Sequence, residues 1–207
     1  MKNKNSLIPL TLLTGALLLP HSAQAHHAEF MAGNPFLQGL SMPAHGIDHL
    51  LSALAVGLIA SRAPQNLRPK LLSLFALVAV LGGFVNLSGV SLPEIAVPLT
   101  VLLSGVLLWK NVSSALVAAV LVATAGLVNG QALIESAPLN FSPFTTALFA
   151  AGCLISAGIF TGAGLLLGRV LHSNQTLIRI AAASLIAGAA LVASFPNLNS
   201  AVIRWIE

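Results

Sequence analysis

The stretch of residues 42–52, Met-Pro-Ala-His-Gly-Ile-Asp-His-Leu-Leu-Ser, stands at the head of a long apolar segment and holds the side chains best suited to bind a metal ion. It includes the only aspartate of the chain and two of the six histidines. Residues three and four apart share one face of an α-helix. A helix here therefore predicts one stripe of polar side chains: His45, Asp48, His49 and Ser52, with Met42 one turn above. Imidazole nitrogen beside a carboxylate suits nickel, cobalt, copper and zinc.

The stripe needs further donors, because three ligands on one helix seldom complete a metal site. Asp48 can ligate directly or can hold the tautomer of a ligating histidine. Candidate donors from elsewhere are Met42, His26, His27, Asn129 and Gln131. No thiolate lies in the stripe, which disfavours a closed structural zinc site. The alternative is that the aspartate and the histidines only cap backbone groups or reach the headgroups. Ionisable side chains inside a membrane helix are costly, which favours metal or proton handling.

The composition is that of an integral membrane protein. Of 207 residues, 57% are hydrophobic and 7% are charged, whereas a soluble domain carries roughly 25% charged residues. The basic residues lie between apolar runs, so they indicate topology rather than nucleic-acid binding. The single cysteine, Cys153, excludes an intramolecular disulfide and is predicted to be a small buried hydrophobe.

The N-terminus is typical of a secretory signal. Lys2 and Lys4 precede an apolar core at residues 7–20, and Ala23-Gln24-Ala25 is a small-x-small cleavage site. The core is shorter than the roughly 20 residues that a membrane-spanning helix needs. We therefore predict a signal peptide at residues 1–25 and a mature domain at residues 26–207, with the pair His26 and His27 at its outer end.

The rest of the chain predicts an all-α bundle of six transmembrane helices in a single domain. After a loop at residues 30–40, we place the helices at residues 41–61, 71–87, 94–109, 113–132, 144–167 and 177–193. Basic residues follow the first, third and fifth helices. The positive-inside rule then predicts a multi-pass protein of the bacterial inner (plasma) membrane with both mature termini outside the cytoplasm. Glycines in the second, fourth and fifth helices predict close helix packing.

At the first helix the sequence resembles the HupE/UreJ family, membrane proteins associated with nickel supply to hydrogenase and urease. The family motif there has the form His-Pro-x-x-Gly-x-Asp-His, followed by an apolar run that ends Val-Gly-x-x-Ala. The residues that match it are Pro43, Gly46, Asp48, His49, Val56, Gly57 and Ala60. The resemblance implies a cleaved signal, a six-helix fold and Asp48 with His49 as part of the metal site.

The chain departs from the family pattern at other ligand positions. Met42 stands where the motif has its first histidine, and His45 lies one turn further in. A second family motif, His-Gly-x-Ala-His-Gly-x-Glu, aligns with residues 129–136, where Asn129 and Leu133 replace its two histidines and only Gly130 and Ala132 match. Ser156 corresponds to a family histidine on the fifth helix.

The sequence thus predicts a transition-metal permease or metal-handling membrane protein rather than an enzyme. Nickel is the expected ion, with cobalt or copper as alternatives, and membrane lipids and a metalloenzyme maturation system are the expected partners. The first rival is a metal-binding accessory or sensor protein that has lost the ligands for permeation. The second is an intramembrane enzyme that uses His49, Asp48 and Ser52, and the third is a proton or small-solute channel.

Overall fold

The computed structural model describes residues 33–87, 95–112, 114–135, 137 and 141–194, and all regular secondary structure in these ranges is α-helical. The helices, numbered in chain order, are α1 Pro35–His45, α2 Ile47–Arg62, α3 Arg68–Leu87, α4 Ala96–Trp109, α5 Ala115–Glu135, α6 Pro143–Leu171 and α7 Gln175–Ser194. Helices α3 to α7 correspond to the second to sixth predicted helices, with ends that shift by a few residues. The all-α prediction is confirmed over the described residues.

The first predicted helix is wrong in one important respect, because it is two helices. Gly46 has an extended backbone, with φ −106° and ψ 112°, and separates α1 from α2. The two helices together are bent by 70°. Pro43, which lacks a backbone N–H, lies in the last turn of α1 and weakens the hydrogen bonding there. The break removes His45 from the helix that carries Asp48 and His49.

The loop predicted at residues 30–40 is also wrong over its second half, since α1 already begins at Pro35. Asn34 caps this helix, because its side-chain Oδ1 accepts a hydrogen bond from the backbone N–H of Leu37 at 3.2 Å. Proline is well suited to the first helical position. The predicted signal peptide and the pair His26 and His27 lie outside the described residues.

Four helices, α3, α5, α6 and α7, are long and apolar enough to cross a membrane, and α1 with α2 makes a fifth span if the bent pair counts as one. Helix α4 has 14 residues, about 21 Å, which is shorter than the roughly 30 Å hydrocarbon core. Many outward-facing side chains are large and apolar, among them Phe84 at 64% and Leu116 at 75% exposure. Such a surface fits contact with lipid better than contact with water.

Glycines bring three helix pairs into backbone contact. In each pair both helices contribute one: Gly39 and Gly152 join α1 to α6, Gly57 and Gly164 join α2 to α6, and Gly82 and Gly130 join α3 to α5. A Cβ at Gly57 would lie 2.1 Å from the carbonyl oxygen of Thr161, and one at Gly164 would lie 2.2 Å from that of Leu54. Only glycine permits this approach. Of these six glycines, the sequence prediction of close packing included Gly82, Gly130, Gly152 and Gly164.

Helix α2 lies at the centre of the bundle and contacts α4, α5, α6 and α7. Its residues Ala55, Val56 and Ala60 are fully buried, at 0% exposure. Because α2 begins directly after Gly46, this central position carries Asp48 and His49 to the place where the buried helix starts. The burial of α2 in the core therefore determines the positions of Asp48 and His49.

The described charges separate between the two ends of the bundle. All six described lysine and arginine residues lie where α2, α4 and α6 end and α3, α5 and α7 begin: Arg62, Arg68, Lys70, Lys110, Arg169 and Arg179. We call this the basic end. Both described acidic residues, Asp48 and Glu135, lie at the opposite end. A hydrogen bond from the Arg62 guanidinium to the Asn111 side chain joins two loops of the basic end.

Candidate metal site at the start of α2

The break at Gly46 brings an aspartate and a histidine together. A Cβ built on Gly46 would lie 2.6 Å from Cδ2 of the His49 ring and 2.9 Å from Oδ1 of Asp48. Both side chains therefore fold back over the start of α2, into space that any residue other than glycine would fill. In the imidazole ring, Nε2 is bonded to Cδ2. The Nε2 atom of His49 is therefore on the side of the ring that lies near the Asp48 carboxylate.

Asp48 is half-buried and lies in the first turn of α2. A negative charge there interacts favourably with the backbone N–H groups at the N-terminus of the helix. That interaction accounts for part of its placement without a metal. It also keeps an anionic oxygen at the break, where a cation would be attracted to it.

His49 is buried, at 9% exposure, and is held by a residue on another helix. Its Nδ1 lies 3.0 Å from Oδ1 of Asn129 on α5. The amide nitrogen of Asn129 donates to Ser52 Oγ at 2.7 Å and to the backbone carbonyl of Ala125 at 2.8 Å. Asn129 and Ser52 are 3% and 1% exposed, so the network lies inside the bundle.

The network fixes the proton on the histidine ring. The carbonyl of Ala125 can only accept a hydrogen bond, so the group of Asn129 that faces it must be the NH2. The amide oxygen of Asn129 then faces His49 and requires a donor at Nδ1. In the neutral imidazole, Nε2 is consequently the unprotonated nitrogen, which is the form that binds a metal ion.

The other predicted ligands are placed differently. Met42 is half-buried and packs against the cluster of Leu133, Phe149 and Cys153. His45 is the last residue of α1, and its side chain is outside the described part of the structure. His26 and His27 also lie outside the described residues. Within those residues there is no group of three or more His, Cys, Asp and Glu side chains that could hold a metal ion.

Asn129 and Gln131, the candidates named on the fourth predicted helix, are both buried at the level of the site, at 3% and 2% exposure. Ser52 lies three residues after His49 on α2, and both contact the same asparagine. Cys153, at 2% exposure, is the small buried hydrophobe that the sequence predicted. The feature that sequence reasoning missed is the role of Gly46, although Pro43 and Gly46 together were a signal for a helix break.

The arrangement does not favour a serine-type catalytic triad. The Nδ1 of His49 contacts an amide rather than the carboxylate of Asp48, and Ser52 Oγ accepts from Asn129. A triad needs the base to be oriented by the acid and bonded to the nucleophile. What the site offers instead is an oriented imidazole beside a carboxylate.

The helices and this site define an all-helical membrane protein with a buried imidazole and a carboxylate at a broken helix. A family model described as HupE / UreJ protein matches residues 14–193, and the chain belongs to the HupE/UreJ family, membrane proteins associated with nickel and cobalt transport. The chain is 35% identical over 125 residues to Protein HupE of Rhizobium leguminosarum bv. viciae. That alignment covers 59% of this chain and 64% of the relative, so the chain spans less than two thirds of its length. No solved structure matches the chain.

Proposed function

We propose that this protein is a permease for a divalent transition metal, nickel or cobalt, with six membrane spans and both mature termini outside the cytoplasm. The basic end is then cytoplasmic and the start of α2 faces the outside, in accord with the positive-inside rule. His26 and His27 would capture the ion after removal of residues 1–25. The ion is the transported substrate.

The observation that carries the proposal is the meeting of Asp48 and His49 at Gly46. The edge of the His49 ring, through its Cδ2, and the Oδ1 of Asp48 both lie within 3 Å of the Cβ position of Gly46. An imidazole with an unprotonated Nε2 next to a carboxylate suits a divalent transition metal. Broken helices are a recurring way to build ion sites in transporters, since the free carbonyl groups at a half-helix C-terminus coordinate cations. Helix α1 ends at this place, so its last carbonyl groups can supplement the two side chains.

Asp48 has a second task in this proposal. A divalent cation loses much of its hydration when it enters the bundle, and a nearby carboxylate lowers the barrier to that step. The sequence contains neither a P-loop nor a Rossmann glycine pattern. A gradient or a partner protein would therefore drive the transport.

The test is accumulation of radiolabelled nickel or cobalt in cells that express the full chain. We expect His49→Ala and Asp48→Ala each to abolish metal-dependent uptake at an unchanged protein level in the membrane. Each has a matched control, because His172 and Glu135 are exposed and lie outside the site. His172→Ala and Glu135→Ala should leave uptake unchanged. Normal accumulation in both site variants would refute the proposal.

The second candidate is a metal-binding accessory or sensor protein without transport. Two observations favour it: Asn129 stands where the resemblance places a family histidine, and the described residues hold no three-ligand cluster. The purified protein would then bind nickel at equilibrium and give no flux in proteoliposomes. Flux that depends on His49 would decide for the permease.

A further inference from the structure

The basic end contains a cleft that the metal site does not explain. It lies between the loop after α2, the start of α3 and the end of α6, and has a volume of about 570 Å³. Its lining residues are Gln65, Arg68, Pro69, Leu72, Leu165 and Arg169. Two arginines from separate helices thus face one space, which is large enough for a small ligand group.

The charges of this cleft have no partner among the described acidic residues, since Asp48 and Glu135 both lie at the opposite end of the bundle. Arg68 is half-buried, and its Nε donates to the carbonyl of Ala63 at 3.0 Å, which fixes the plane of the guanidinium. A guanidinium held in one plane presents its remaining N–H groups as a fork that matches a phosphate. The cleft therefore offers two guanidinium groups to one anion, and phosphate is the chemistry that fits.

The position of the cleft favours a lipid over a dissolved anion as the source of the phosphate. Pro69, Leu72 and Leu165 give it an apolar wall beside the arginines. On the same helix, Leu166 and Ile159 are 60% and 61% exposed, lie seven residues apart on one face, and continue the apolar surface from the basic end toward the middle of the helix. A phospholipid has this pairing, with a phosphate next to glycerol and acyl chains. Basic pockets at the ends of membrane helices are known to bind anionic headgroups.

We propose that the cleft formed by Arg68 and Arg169 is a binding site for the headgroup of an anionic phospholipid. The phosphate lies between the two guanidinium groups, and the acyl chains extend past Leu165 and Leu166 toward Ile159, along α6 toward the middle of the membrane. The lipid joins the α2–α3 loop to the end of α6 and neutralises charge at the basic end. The proposal is independent of the metal site.

The experiment uses the purified full chain in a neutral detergent. Dioleoylphosphatidylglycerol, dioleoylphosphatidylcholine and inorganic phosphate are added separately, and bound lipid is counted by native mass spectrometry while thermal unfolding is followed. We expect the anionic lipid alone to stay bound and to raise the unfolding temperature. In Arg68→Gln/Arg169→Gln its affinity should fall by about tenfold or more, because two charge-assisted contacts are lost.

Arg179→Gln is the matched control, since Arg179 is an exposed arginine of the basic end that does not line the cleft. It removes a positive charge and should leave lipid affinity within about twofold of the wild type. The variant Arg68→Lys/Arg169→Lys keeps the charge, loses the fork geometry and should show intermediate affinity. It also serves if the glutamine variant does not fold.

Several results would overturn the proposal. Equal retention of phosphatidylcholine would mean that no anion is recognised. An equal effect of inorganic phosphate would mean that the site takes a free anion and no lipid. An equal loss in Arg179→Gln, or unchanged affinity in the lysine variant, would mean that net charge alone attracts the lipid.

Discussion

Asn129→Leu is the variant that best tests how the candidate site is held. Leucine has the same branching as asparagine with bulkier methyl groups, so the amide is removed while the space between α2 and α5 stays filled. The side chain loses its contacts to His49 Nδ1 at 3.0 Å and to Ser52 Oγ at 2.7 Å. The contact to Ala125 is lost as well, although that carbonyl keeps its helical backbone bond. We expect both stability and metal affinity to fall, by amounts that can be separated.

The stability cost follows from the two contacts to α2. Hydrogen bonds between membrane helices contribute about 0.6 kcal/mol on average and about 1.7 kcal/mol at most. The loss of both should therefore lower the free energy of unfolding by about 1–2 kcal/mol. The metal affinity should fall further, since removal of the partner that orients a ligating histidine costs about 10–100-fold. That range corresponds to about 1.4–2.8 kcal/mol of binding free energy.

Two serine variants distinguish a loss of His49 orientation from a general loss of stability. Ser52→Ala removes one contact of Asn129 and leaves its contact to His49, so metal affinity should change by less than about threefold. Ser104→Ala is the matched control, because Ser104 is also 1% exposed but bonds to the carbonyl of Thr100 on its own helix. Nickel titration calorimetry and thermal unfolding in detergent would measure both quantities. Wild-type affinity in a folded Asn129→Leu protein would refute the assignment of the Nδ1 proton to the Asn129 contact.

Three further outcomes are expected. Gly57→Ala, whose Cβ would lie 2.1 Å from the carbonyl oxygen of Thr161, should cost about 1–3 kcal/mol in unfolding experiments, whereas Gly162→Ala has open space and should be neutral; equal effects would contradict the packing. Gly46→Ala should weaken nickel binding in titrations and lower the unfolding temperature, because its Cβ displaces the Asp48 carboxylate and the His49 ring that contacts Asn129; unchanged binding would contradict their convergence. Cys153, at 2% exposure, should react with a membrane-permeant maleimide only after unfolding, and rapid labelling of the native protein would contradict its burial.

Much of the fold could be predicted because apolar runs and basic loops mark helices in a membrane chain. Five predicted helices match α3 to α7 within a few residues at either end. The prediction of the first helix failed because Pro43 and Gly46 were included in one continuous helix, whereas the extended backbone at Gly46 divides it. Hydropathy does not register the change of backbone angle at Gly46. The start of α1 was missed for a different reason, because Gly33, Asn34 and Pro35 are turn residues that favoured a loop. Local backbone geometry and hydrogen bonding determine both the break at Gly46 and the start of α1 after Asn34.

The candidate site was predictable in part for the same reason. His49 and Ser52 lie three apart on one helix, which spacing alone reveals, and both are buried. Their contact with Asn129 spans 80 and 77 residues of the chain, and only the packing of α2 on α5 creates it. Asn129 was named as a candidate donor on the fourth predicted helix, at a position where the resemblance places a family histidine. That it orients a histidine depends on the amide direction set by Ala125, which no sequence pattern contains.

The resemblance places a family histidine at the position of Asn129, and this difference would affect both the number and the orientation of the ligands in the proposed metal site. The amide cannot replace an imidazole nitrogen as a ligand of equal strength for nickel or cobalt, yet it can hold His49 in its metal-binding tautomer. The site therefore keeps its geometry while it offers fewer strong donors, which predicts weaker binding and faster release. Conduction requires an ion to bind well enough to enter and weakly enough to leave. Under the proposed permease function, an oriented but sparse site at the start of α2 would suit passage of the ion, whereas a sensor would need tighter retention, and the flux measurement in proteoliposomes tests this distinction.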